Sequence, residues 1–94
     1  MTARQERRFS VRGRVQGVGF RWWTRGRAVE LGLAGTVRNR PDGTVEVVVA
    51  GPADGIDRLR ELLHRGPPAA RVEEVLEDEV TAGVVDGDDF RIVS

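Results

Sequence analysis

The stretch Gly13-Arg14-Val15-Gln16-Gly17-Val18-Gly19-Phe20-Arg21 constrains this chain more than any other. It closes a strand-like alternation, Phe9, Val11, Gly13, Val15, through a loop with two glycines, and opens onto a segment of helical spacing. Gly17 and Gly19 give the backbone access to positive φ and to close approach by a ligand. A helix starting at Phe20 or Arg21 turns its free N–H groups back into that loop. Such a junction is a cradle for an anion, a phosphate above all, with Arg21 on the rim as a planar fork matched to phosphate oxygens.

The remaining elements follow from local signals. The first helix runs to Leu31 and stops at Gly32, a residue suited to a left-handed C-terminal position. Two stripes fit its inward face, Phe20, Thr24, Ala28, Leu31 or Trp22, Gly26, Val29, Leu33. The first is preferred, because Leu33 lies beyond the glycine stop. Trp22 and Trp23 sit about 100° apart on a helix, so at most one of them enters a core. Leu33 to Arg40 and Thr44 to Ala50 read as strands joined by the turn Pro41-Asp42-Gly43, with Pro41 holding Arg40 extended. Pro52 is expected at the first position of a second helix that buries Ile56, Leu59 and Leu63 and ends at Gly66-Pro67-Pro68. On its outer side Asp54 with Arg58, and Glu61 with Arg65, are expected i, i+4 pairs. An acidic strand from Val72 to Val80, a loop from Thr81 to Asp89 and a short strand from Phe90 to Val93 complete the chain. Asp86, Asp88 and Asp89 lack the closing glutamate of an EF-hand, so a turn or solvated loop is expected there rather than a cation site.

Strand, helix, strand, strand, helix, strand is the order of an α+β fold, the ferredoxin-like double split βαβ, an antiparallel sheet with two helices on one face. With 94 residues there is room for one core. The expectation is a flexible leader over 1–6 and a single domain over 7–94. That architecture hosts enzymes, nucleic-acid binders and regulatory modules alike.

Composition narrows the chemistry. There is no Cys and no Lys, which excludes thiol chemistry, disulfides and lysine imines. The one histidine, His64, falls near the end of the second helix, where a cation favours the dipole, and a zinc site is not expected. No apolar run has the length of a membrane span or secretory signal, so a cytoplasmic protein without membrane partners is expected. Charge is balanced overall but segregated: residues 1–40 hold ten arginines and two acids, residues 41–94 five arginines and thirteen acids. That asymmetry can focus an anion on the first half or can be cancelled on folding.

Gly13 to Arg21 resembles the first signature of the acylphosphatase family, and Gly35-Thr36-Val37-Arg38-Asn39 with Gly43-Thr44-Val45 and Gly51 resembles the second. The likeness spans about Phe9 to Val72. It implies metal-free hydrolysis of small acyl phosphates to carboxylate and inorganic phosphate, with no cofactor. By position, the resemblance implies that Arg21 and the backbone N–H groups of Gln16, Gly17, Val18, Gly19 and Phe20 hold the phosphoryl group. Asn39 would orient the attacking water. A carboxylate leaving group, with a pKa of roughly 4, departs without a general acid, so the scarcity of titratable groups fits this reaction better than hydrolysis of a phosphomonoester. Two departures stand out. Thr36 takes a place usually held by an aromatic residue, and Arg40-Pro41 follows Asn39.

Two other readings compete. A nucleic-acid module is favoured by the basic first half and the Trp pair, but the predicted hairpin strands carry no aromatic residue for base stacking. An idle regulatory domain, similar to the acylphosphatase-like segment of hydrogenase-maturation carbamoyl transferases, lacks here the cysteine clusters expected to follow it. The expected state is a monomer that binds acyl phosphate and phosphate and no nucleic acid.

Overall fold

The computed structural model describes residues 4–93. Its elements are β1 (Gln5–Arg14), α1 (Phe20–Glu30), β2 (Ala34–Asn39), β3 (Val45–Gly51), α2 (Ala53–Arg65), β4 (Arg71–Glu79) and β5 (Phe90–Ile92). The sheet order is β4-β1-β3-β2-β5. The first four strands pair antiparallel, as the double split βαβ requires, and β5 adds to β2 in parallel. The sheet is therefore mixed rather than purely antiparallel. A tail strand's partner depends on where its preceding loop crosses, and no local signal encodes that.

Alternation along the strands sorts the residues onto two faces. Phe9, Val11 and Val15 of the first strand and its exit, Val37 of β2 and Val45, Val47 and Val49 of β3 are buried together. Phe20 and Ala28 from α1, and Ile56, Leu59 and Leu63 from α2, close the core over that face. Full burial of one such aliphatic or aromatic side chain contributes about 1.5–3 kcal/mol, so this layer carries most of the fold's stability. Thr24 is buried with Phe20 and Ala28, which settles the inward face of α1 in favour of the first stripe. Trp23 packs against the core with its ring 5.5 Å from that of Phe20, whereas Trp22 is 70% exposed.

The opposite face of the sheet is crossed by the β4–β5 loop. Glu6 accepts hydrogen bonds from the backbone N–H groups of Gly83 (2.6 Å) and Val85 (2.8 Å), and Arg4 donates to the carbonyls of Val85 and Gly87. Gln5 and Glu6 therefore belong to β1 and not to a leader, because pairing with β3 and these loop contacts order them. Arg4, just before the strand, is tied to the same loop, and residues 1–3 of the expected leader lie outside the described residues. Thr36 lines a groove of 210 Å³ under the same loop, with Val48, Val84 and Val85. The missing aromatic ring thus concerns packing on the far face of β2.

Two local details differ from expectation. Pro52 precedes α2 as its extended N-cap (ψ 147°) instead of occupying the first helical position. The i, i+4 pairs give way to Arg58–Glu61 and Asp57–Arg60 at i, i+3, while Arg60 also reaches across to Glu77 on β4.

Candidate active site

The cradle is built from the exit of β1 and the first turn of α1. Gly17 and Gly19 take φ 74° and 79°, and a Cβ at either would meet open space. Conformation rather than crowding demands glycine at both positions. Gly19 is the N-cap of α1 and offers no side chain to its amides; the first turn holds no acid, and the first helical bond is Trp23 N–H to the Gly19 carbonyl (3.0 Å). The N–H groups of Phe20, Arg21 and Trp22 are thus left at the positive end of the helix dipole without intrahelical acceptors. An anion is their natural partner.

A cavity of 160 Å³ opens there, lined by Val15, Gly17, Gly19, Phe20, Arg21, Trp22 and Asn39. Phe20 sends its ring into the core and offers the site only backbone. Arg21 forms no ion pair among the described residues. Asn39 ends β2 on the core-facing side of its register, two residues beyond Val37, and so projects toward the cradle. Its Oδ1 is buried with no protein hydrogen-bond partner. Leaving such an acceptor unpaired costs about 1–3 kcal/mol, and the other unpaired buried side-chain atoms, on Arg8, Thr24 and Arg27, belong to residues that do not line this cavity.

Two of the expected cradle residues, Gln16 and Val18, do not line the cavity. The Gln16 side chain turns away and donates Nε2 to the carbonyls of Arg40 (2.8 Å) and Thr44 (3.0 Å). One amide thereby bolts the loop to the base of the β2–β3 hairpin. Val18 packs against the core. Trp22 and Val15, absent from the expected set, form part of the wall. Helical spacing placed Trp22 outward but held no sign that the outward side borders the cradle.

The acylphosphatase family model matches residues 7–92. The chain belongs to the acylphosphatase family. An acylphosphatase of Mycobacterium sp. (strain KMS) is 52% identical over 80 residues, covering 83% of this chain and 85% of that protein. The structure of an acylphosphatase from Coxiella burnetii matches with a TM-score of 0.89 at 42% identity, over 96% of this chain and 93% of that one. Full-length HypF, crystallised in a phosphate- and nucleotide-bound form, contains the same fold: TM-score 0.85, 27% identity, all of this chain but 12% of that one. In this acylphosphatase-family chain, the two sequence signatures meet in one cavity, with Arg21 and Asn39 both on its wall.

No helix among the described residues is long and apolar enough to cross a membrane. No group of three or more His, Cys, Asp or Glu residues is disposed to hold a metal ion, again among the described residues. Asp88 is engaged by Arg4 at 3.4 Å, and Asp89 stands 3.8 Å from Arg91.

Proposed function

We propose that this chain hydrolyses small acyl phosphates to a carboxylate and inorganic phosphate, without a metal. The observation that carries the reading is the convergence of unpaired groups: the free amides of α1, the unpaired Arg21 guanidinium and the unpaired Asn39 carbonyl border one small cavity. Arg21 and the loop amides bind the phosphoryl oxygens and stabilise their charge as the P–O bond to the acyl group breaks. Asn39 accepts a hydrogen bond from the attacking water and aims its oxygen at phosphorus. The cavity wall contains no carboxyl, imidazole or thiol, so no side chain is there to protonate a leaving group. An acyl carboxylate needs none, whereas an alkoxide does.

The sheet face opposite the helices gives a nucleic acid little to stack on. The described aromatic residues are Phe9, Phe20 and Phe90 in the core and the two tryptophans on α1. We take the chain to act as a monomer on a small anion.

The test is turnover of benzoyl phosphate and acetyl phosphate, with and without EDTA, beside p-nitrophenyl phosphate. Hydrolysis of both acyl phosphates that survives chelation, with little action on the ester, is the expected result. Failure of well-folded protein to hydrolyse either acyl phosphate would overturn the assignment.

A further inference from the structure

Glu46, the second residue of β3, is a carboxylate only 8% exposed, an expensive place for a charge. Its two oxygens take different arginines. Oε1 accepts from Arg38 Nε at 2.7 Å, and Oε2 accepts from Arg40 Nη2. Burial pushes the Glu46 carboxyl up, but the hydrogen bonds from Arg40 and Arg38, together with their charges, outweigh it and hold the group below the usual carboxylate range.

Those two arginines are the chain neighbours of Asn39. Successive residues of a strand point to opposite faces, so Arg38 and Arg40 lie on the far side of the sheet while Asn39 faces the cradle. Glu46 therefore grips β2 from behind on both sides of Asn39. Arg40 is held further. Its Nη1 donates to Ser10 Oγ of β1 at 3.2 Å, its backbone N–H donates to the Thr44 carbonyl at 2.8 Å, and its carbonyl accepts from Gln16 Nε2.

On the reading that Asn39 positions the water, we infer that Glu46 is a positioning residue, clamping Arg38 and Arg40 so that the Asn39 amide is held at a fixed distance from the phosphate cradle. Net stability is a weak reason for such a cluster, because desolvation offsets much of a buried pair's attraction. Geometry is a better one. A displacement of about 1 Å at a reacting centre can cost on the order of 100-fold in rate.

Glu46→Gln and, as a milder variant, Arg38→Gln test the inference. Benzoyl phosphate kcat should fall between about 10- and 100-fold in Glu46→Gln and less in Arg38→Gln, with KM unchanged and phosphate inhibition at least as strong as in the wild type. Asn39 is the only asparagine of the chain, and Gln5 and Gln16 the only glutamines, so its side-chain NH2 pair is readily assigned in a 15N–1H spectrum. That pair should be sharp and rigid in the wild type and broadened or motionally averaged in both variants. An unaltered Asn39 pair with unaltered kcat overturns the inference. So does a parallel loss of kcat and phosphate affinity that tracks a lowered Tm, the signature of general destabilisation. Absence of turnover in the wild type would instead overturn the proposed function, and the Asn39 signal alone would still decide whether Glu46 fixes that side chain.

Discussion

On the sheet face turned away from the helices, Arg8, Arg12, Arg38 and Arg40 each reach a carboxylate on a neighbouring strand. At the cradle, Arg21 reaches none. Of the ten arginines in residues 1–40, Arg14, Arg21 and Arg25 form no ion pair among the described residues. These stand at the end of β1 and in the first two turns of α1, beside the loop they flank. Folding thus cancels most of the charge segregation written along the chain and leaves Arg21 unpaired on the cavity wall. Strand pairing explains the difference: β4 lays Asp78 and Glu74 directly opposite Arg8 and Arg12, whereas the glycine loop brings no acid to Arg21.

The largest effect should come from breaking that contrast at its unpaired end. Arg21→Ala is expected to lower kcat/KM for benzoyl phosphate by about 100- to 1000-fold, the usual loss for one preorganised donor to a developing charge. Phosphate inhibition should weaken in parallel. Arg8→Ala, on the paired face, should leave both quantities unchanged. Equal phosphate inhibition of Arg21→Ala and wild type would remove Arg21 from the cradle.

Asn39→Ala sharpens the division within the cavity. Turnover should fall on the order of 100-fold, within the range for loss of a polar group aimed at a reacting centre, while phosphate inhibits the variant as well as it does the wild type. Loss of phosphate affinity instead would make Asn39 a ligand for the anion rather than for water.

What the sequence revealed of this arrangement was its local part. The Gly17–Gly19 junction, the Pro41-Asp42-Gly43 turn and the Gly32 and Gly66 stops are written in residues whose backbone preferences act within a few positions. The element boundaries accordingly lie within a couple of residues of expectation. Arg21 was legible from the glycine loop it follows, Asn39 only because two signatures occur together at a family spacing. Long-range choices were not legible. Glu6 capping amides of the loop 77 and 79 residues away, β5 pairing parallel to β2, and Gln16 reaching Arg40 and Thr44 all depend on which segments the fold brings together. The helix pairs failed for the same reason: Arg60 is drawn to Glu77 of β4, a partner no helical spacing could nominate.

That Arg60–Glu77 pair, which Arg7 joins at 3.5 Å from Glu77, supplies the test with the smallest expected effect. Arg60 Nε and Nη2 donate to the two Glu77 oxygens at 2.6 and 2.8 Å, tying α2 to β4, while the guanidinium lies 5.9 Å from the centre of the Phe9 ring. The hydrogen bonds from Arg60 hold the Glu77 carboxyl below its ordinary range, against the upward push of burial. Because the folded-state pKa is depressed, the pair stabilises the protein above the unfolded value of about 4.3 and loses that contribution as pH falls through the folded value. Both side chains are about one-third exposed, so the discounted contribution is at most about 1 kcal/mol, worth roughly 4–8 °C in Tm for a domain of this size. Glu77→Gln should therefore melt a few degrees below wild type at pH 7, with the gap closing as pH falls below about 4. Other carboxylates drag both proteins down in acid, which is why the difference, and not either Tm alone, reports the pair. A gap that stays constant down to pH 2.5 would assign the stabilisation to packing over Phe9 instead of to the charge.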